Sequence, residues 1–156
     1  MEYEKIVVDT MTATAQKILK QEPDSVRCVG EENSPLTVED FTIIVGMAGQ
    51  VTGQLIFGFS DETIKIIAKR MIEQEVEELD ELAISAVAEF TNVLAGNATI
   101  TLVDEGSKKL GISPPSIIMG KNMRVSTKVK PIRKYKVTFK NIGDMIIHVA
   151  LKEKEE

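Results

Sequence analysis

The residues of this sequence whose types and spacing could do chemistry lie in the run ELAISAVAEFTNVLAGNATITL, residues 81–102. At about 100° per residue in a helix, Ser85, Glu89, Asn92 and Gly96 form one stripe. A carboxylate can pair with a cation, and a neutral amide can both donate and accept hydrogen bonds. The stripe could therefore bind a polar partner.

The polar stripe has an ordinary interpretation and a functional one. A solvated helix face must be polar, and Glu and Asn are common polar residues. However, exposed helix faces favour strong helix formers such as Lys, Arg, Glu and Gln, and after Glu89 the run has no charge until Asp104. Gly in a helix costs about 1 kcal/mol relative to Ala. The small side chains on or beside the stripe favour close approach by another surface: Ser85, Ala88, Ala95 and Gly96.

The elements that must position the stripe follow from hydrophobic periodicity. The other side of the long helix is apolar and predicts docking on a sheet through Ala83, Ile84, Val87, Phe90, Leu94 and Ala98. Leu82 and Val93 flank the stripe. We predict helices over residues 3–21, 61–73 and 77–103, with Ser60 as the N-cap of the second. We predict strands over residues 41–46, 54–59, 116–119, 124–131, 136–139 and 145–151, with a loop at about 22–36.

These elements predict an α/β fold of the α+β type, in which long helices pack on one face of a mostly antiparallel sheet. A helix leads to a hairpin in each half of the sequence, which suggests two related halves. The 156 residues indicate one domain, residues 1–156. The single cysteine, Cys28, rules out an intramolecular disulfide and favours a cytoplasmic setting.

Charge and hydropathy narrow the classes of function. The net charge of −5 disfavours general binding to nucleic acid. The amino terminus lacks the features of a signal peptide. We find no apolar run approaching the roughly 20 residues needed to cross a bilayer, and we expect no membrane insertion.

The run Ser85 to Asn92, SAVAEFTN, fits the pattern Asp/Ser-x3-Glu-x2-Asn and resembles the active-site signature of the CheC/CheX/FliY phosphatases of bacterial chemotaxis. The segments GQVTGQLIFGFS (residues 49–60) and ISPPSIIMG (residues 112–120) resemble the same family, as does LDELA (residues 79–83). The similarity covers about residues 41–151. The first helix offers Asp9, Ala13 and Gln16 at comparable positions, without the Glu and the Asn. The chain therefore resembles the CheX-like branch, which has a single site.

The resemblance implies the substrate and the roles of the site residues. The family acts on CheY phosphorylated on an aspartate of its receiver domain, which itself holds Mg²⁺; this chain is expected to bind no cofactor or metal. Asn92 would orient the attacking water, and Glu89 would pair with a receiver lysine. Ser85, Ala88 and Gly96 would contact the receiver. The resemblance also implies a homodimer.

Two alternatives remain open at this point: a non-catalytic adaptor in chemotaxis or flagellar-switch signalling, and a purely structural dimerisation domain. Eight Lys and Arg residues without an acid occupy the segment 121–140, and we interpret them as the solvated side of strands rather than a steering surface. His148 is expected to be a surface or sheet-contact residue. Cys28 is expected to lie in a polar loop.

Overall fold

The structure, a computed structural model, describes residues 2–107 and 109–154 and contains helices and strands in a mixed order along the chain. The helices are α1 (Glu2–Leu19), α2 (Asp61–Ile72) and α3 (Glu81–Asp104). The strands are β1 (Ser25–Glu32), β2 (Leu36–Thr37), β3 (Phe41–Gly49), β4 (Val51–Phe59), β5 (Leu110–Ile112), β6 (Ser116–Met119), β7 (Arg124–Val125), β8 (Ile132–Phe139) and β9 (Gly143–Glu153).

Seven strands form one sheet in the order β1-β8-β9-β4-β3-β5, and β6 pairs with β3 as well. β2 and β7 form a separate two-stranded sheet. Throughout the described ranges, each strand pair is antiparallel. The predicted fold class, with helices on an antiparallel sheet, is therefore confirmed.

The three helices cover one face of the large sheet, which we call the inner face. α1 and α2 both pack against α3, and α3 also contacts β3 and β5. Side chains alternate between the faces of a strand, so Leu55 and Phe57 of β4 point into the main core under the helices, whereas Ile56 points to the outer face. The outer face carries a smaller apolar cluster beneath β2 and β7: Leu36, Val38, Ile56, Val125, Ile132 and Ala150.

Two predicted segments were wrong. The predicted loop at residues 22–36 contains β1, an edge strand that pairs with β8 along Ser25–Glu32. Most side chains of β1 are exposed, so its sequence lacks the alternation of apolar and polar residues that would predict a strand. The predicted strand at residues 124–131 is limited to Arg124–Val125. Beyond it, the amide of Thr127 donates to the Oγ of Ser34 and the amide of Val129 to the Oγ1 of Thr127, so these groups do not join a ladder.

Side-chain caps set the starts of the two helices that flank the acidic link at residues 73–80. The Oγ of Ser60 accepts a 3.1 Å hydrogen bond from the amide of Thr63, which confirms the predicted N-cap of α2. α3 begins at Glu81 and not at residue 77, because Asp80 is its N-cap and accepts a 2.8 Å bond from the amide of Ala83. An N-cap of this kind contributes about 1 kcal/mol.

The hydropathy of α3 differs from the sequence expectation. Among the described residues, α3 alone is long and apolar enough to cross a membrane by length and composition. The statement that no apolar run approaches this length was therefore wrong. The core helix of a soluble protein passes the same test, and the buried side of α3 gives its hydropathy a packing explanation.

Candidate functional site

One side of α3 is fixed in the core, and this decides where the opposite side points. Val87, Phe90 and Leu94 are fully buried, at the three- and four-residue spacing of a helix face. Ala83 and Ala98 are fully buried on the same side, and Ile84 is partly buried. The apolar docking side predicted from the sequence is confirmed. Burying each large side chain contributes about 1.5–3 kcal/mol, so the helix cannot rotate without losing several such contributions.

The predicted site residues lie on the side of α3 that faces away from this core. Ser85 and Glu89 are exposed, and Ala88, Asn92 and Gly96 are partly buried. Within residues 2–107 and 109–154, the side chains of Glu89 and Asn92 make no hydrogen bond or ion pair. The carboxylate and the amide are therefore brought together at the surface of one rigid helix, with their hydrogen-bonding capacity unused.

One small residue of the run does not belong to this surface. Ala95 is fully buried in the main core, so the expectation that it allows a partner to approach was wrong. It lies between the stripe and the docking side, and its small size serves the packing of α3. Exposed apolar side chains extend the stripe instead: Leu82 is 56% exposed at one end, and Ile100 is 60% exposed at the other.

Threonines and one asparagine stabilise the position of α3. The Oγ1 of the fully buried Thr91 donates a 2.9 Å bond to the carbonyl of Ala88, one turn earlier. The Nδ2 of Asn97 donates a 3.2 Å bond to the Oγ1 of Thr14, which links α3 to α1. The bond between Asn97 and Thr14 helps to fix the orientation of α3 relative to α1.

The surface of α1 shows the same exposure pattern without the same chemistry. Asp9 and Ala13 are exposed and Gln16 is partly buried. On α3, Ser85 and Glu89 are likewise exposed and Asn92 is partly buried. Asp9 forms a 2.7 Å salt bridge with Lys5 on its own helix. α1 therefore provides a second exposed helix face on which Ala and Gln occupy the positions of Glu and Asn.

A buried charge network that the sequence did not predict fixes α1 on the inner face. The carboxylate of Glu4 is 3% exposed and accepts a 3.1 Å bond from Arg133 on β8 and another bond from the hydroxyl of Tyr135. Arg133 also contacts Glu31 on β1, at 3.4 Å. Burial, together with the hydrogen bond to Glu4, raises the pKa of Tyr135 well above its ordinary value. Glu4 is more than 120 residues from Arg133 and Tyr135 in the chain, so no local sequence pattern predicts this network.

His148 and Cys28, two further residues considered in the sequence, both lie in strands of the large sheet. His148 is 2% exposed, and its Nε2 lies 2.7 Å from a carboxylate oxygen of Glu32 on β1, so it is a sheet contact and not a surface residue. Cys28 is exposed, but it lies in β1 rather than in a loop. Across the described part of the chain, no group of three or more His, Cys, Asp and Glu residues could hold a metal ion.

The class of protein follows from this fold and is supported by solved structures. The chemotaxis protein CheX from Desulfovibrio desulfuricans matches with a TM-score of 0.82 and 21% identity, over 99% of this chain and 100% of that chain. A CheX-CheY-BeF3-Mg²⁺ complex from Borrelia burgdorferi matches with a TM-score of 0.80 and 23% identity, over 97% of this chain and 98% of that chain. The chain therefore has the fold of the CheC-like and CheX chemotaxis proteins.

Sequence comparison identifies the family within this class. The family model described as chemotaxis phosphatase CheX matches residues 41–140. A curated relative, the CheY-P phosphatase CheX of Thermotoga maritima, is 32% identical over 110 residues, which is 70% of this chain and 70% of the relative. This chain belongs to the CheX chemotaxis phosphatase family.

Proposed function

We propose that this protein is a phosphatase that hydrolyses the aspartyl phosphate of phosphorylated CheY or a related receiver domain. The observation that carries the proposal is the placement of Glu89 and Asn92, side by side and unpaired, on the face of α3 that points away from the core. The name of the Thermotoga maritima relative, CheY-P phosphatase, supports the same substrate. Membership of the family supports the type of reaction.

In this proposal Asn92 orients the attacking water. The water oxygen forms a bond to phosphorus while the bond between phosphorus and the aspartyl oxygen breaks, so the products are aspartate and inorganic phosphate. Hydrolysis of an acyl phosphate depends mainly on positioning and charge stabilisation. A neutral amide suits this role, because it can hold water by accepting or donating a hydrogen bond without repelling the phosphate. Because Asn92 is partly buried, its side chain has less rotational freedom than a fully exposed one.

Glu89 and the small residues of the stripe hold the receiver in register. The exposed carboxylate of Glu89 pairs with the receiver lysine beside the phosphate. Ser85, Ala88 and Gly96 contribute little side-chain bulk, so the backbone of α3 can approach the receiver closely. Mg²⁺ in the receiver neutralises charge on the phosphate, and this chain contributes no metal ligand to it.

The cellular location and the oligomeric state of the protein are part of the same proposal. The protein acts in the cytoplasm, where it meets the receiver, and it forms a homodimer like the family members it resembles. Sedimentation velocity at micromolar concentration tests the dimer: a single species of monomer mass would contradict it.

The experiment that tests the function adds the purified chain to a receiver domain carrying labelled aspartyl phosphate and follows the loss of label. We expect loss well above the spontaneous rate, at substoichiometric amounts of the chain. If the chain binds the phosphorylated receiver but does not accelerate the loss, it is an adaptor and the phosphatase proposal is wrong. The exposed Leu82 and Ile100 beside the stripe would suit such a binding role.

A further inference from the structure

A cleft at one end of the outer face of the sheet, beside the amino end of α2, gathers three cationic side chains. It encloses about 420 Å³ and lies between β1 and β8 on one side and the segment around Glu39 on the other. A second cavity of about 440 Å³ shares Glu39 and Lys134 with it, so the two adjoin, and Glu31 and Glu32 make the lining of this second cavity acidic. These volumes lie within the range of small-molecule sites.

Three cations line the same wall of the cleft. Arg27 on β1 lies directly opposite Lys136 on β8, and Lys134 is two residues from Lys136 on the same face. Like charges directly opposite in a sheet are destabilising, since their Cβ atoms are about 5 Å apart. The protein as a whole has a net charge of −5, so the concentration of cations here is local to the cleft.

The charges of this wall are only partly compensated within the protein. Lys136 lies 3.4 Å from Asp144, which also accepts a 2.7 Å bond from the hydroxyl of Thr138. In contrast, Arg27 and Lys134 form no ion pair with any residue that the structure describes. Lys134 has Gly30 opposite it on β1, so the directly facing position carries no side chain. Two cations thus face the cleft without a protein partner.

The opposite wall has different chemistry. The side chain of Glu39 lies over Gly58, where an added Cβ would approach the Glu39 Cγ within 2.7 Å. The absence of a side chain at Gly58 therefore lets the Cβ and Cγ atoms of Glu39 lie against the floor of the cleft. Glu39 would repel a simple anion but would accept hydrogen bonds from hydroxyl or amino groups. The cleft consequently suits a ligand that is anionic at one end and carries donors at the other.

We propose that this cleft binds a small phosphorylated molecule with the chemistry of a nucleotide. Its phosphates contact Arg27, Lys134 and Lys136, and its hydroxyl or amino groups donate to Glu39. Arg and Lys are the side chains best suited to phosphate, Arg through a planar fork of donors and Lys as a point charge. Ser60 and Thr63, at the amino end of α2, line the same cleft.

The test titrates the full chain with ADP and with inorganic pyrophosphate by calorimetry at about 150 mM salt, where exposed charges are screened. We expect saturable binding of ADP that is at least about tenfold tighter than that of pyrophosphate. Amide resonances of Gly58 and Ser60 should shift on addition of ADP, whereas those of Asn92 and Gly96 on the far face of the molecule should not. Absence of saturable ADP binding, or ADP no tighter than pyrophosphate, would overturn the proposal.

Variants distinguish a specific binding site from the general attraction of anions to positive charge. The double variant Arg27→Gln/Lys134→Gln should weaken ADP binding at least about tenfold, and Glu39→Gln should weaken ADP but not pyrophosphate. The matched control is Lys128→Gln/Lys130→Gln, which removes the same net charge from exposed positions outside the cleft. Equal weakening by both double variants would contradict a specific site. Circular dichroism of each variant confirms that the fold is retained.

Discussion

On α3, the exposed side chain of Glu89 and the partly buried side chain of Asn92 lie on one face, three residues apart, and neither is paired with another described residue. This difference in exposure suits two roles. An exposed carboxylate can reach out to a partner, whereas a partly buried amide is held in place by its surroundings. The core contacts of Val87, Phe90 and Leu94 on the other side fix the direction of both.

We expect Asn92→Ala to reduce dephosphorylation of the receiver at least about 100-fold, because misplacing a positioned reacting group can cost this much. The fold should be retained, since the side chain has no partner to lose. The measurement is single-turnover loss of labelled phosphate. Gln16→Ala on α1 is the matched control, because Gln16 has the same partial burial on the other helix. Full activity of Asn92→Ala would remove Asn92 from the mechanism.

We expect Glu89→Ala to act mainly on affinity. Losing the charge pair should raise the receiver concentration for half-maximal rate about tenfold, equivalent to about 1.4 kcal/mol. The salt dependence of binding should also become weaker. A titration of rate against receiver concentration at two ionic strengths measures both effects. If the maximal rate fell while the half-saturation concentration stayed constant, Glu89 would instead be acting on the chemical step.

Gly96→Ala should stabilise the fold and weaken the complex. An added Cβ at this position meets only the Cδ1 of Ile112, at an ordinary 3.9 Å. Ala within a helix is more stable than Gly by roughly 0.5–1 kcal/mol. Urea unfolding should show that gain, while receiver affinity should fall because a methyl group projects toward the partner. Unchanged affinity would show that Gly96 lies outside the contact.

Glu4→Ala should lower the free energy of unfolding by about 1–3 kcal/mol, because it leaves Arg133 and Tyr135 without their buried acceptor. Asp9→Ala on the same helix is the control. It removes the exposed salt bridge to Lys5, and exposed pairs of this kind contribute little to stability because water and salt screen them. Chemical denaturation of both variants provides the comparison. Equal losses would show that the Glu4 network adds nothing beyond an exposed pair.

Stability should fall in alkaline solution in a way that depends on Tyr135. Burial and the bond to Glu4 raise the pKa of Tyr135 in the folded state above the ordinary value of 10.0. The folded state therefore keeps a proton that the unfolded state loses, and this stabilisation is complete below about pH 10 and is lost as pH rises toward the folded pKa. Tyr135→Phe should show a shallower decline between about pH 9.5 and 11. Identical slopes in urea unfolding would contradict this.

Local patterns in the sequence were sufficient to determine the parts of the protein that depend on near neighbours. The 3.6-residue period of α3 placed Glu89 and Asn92 on one side and Phe90 on the other, because helical geometry alone relates residues three and four apart. The N-cap at Ser60 followed from residue type in the same way. The start of α3 was placed too early although its N-cap, Asp80, is itself a local signal. The strand β1 was missed because it depends on pairing with the distant strand β8.

Only the tertiary structure decided the features that join distant segments. Glu4 contacts Arg133, Arg27 lies opposite Lys136, and Ala95 is buried rather than presented to a partner. The basic run at residues 121–140 is divided by the pleat of β8, so that Arg133 faces α1 and Lys134 faces the outer cleft. Successive side chains of a strand point to opposite faces, but which neighbour covers each face depends on pairing between segments far apart in the chain, and the sequence carries no local signal for that pairing.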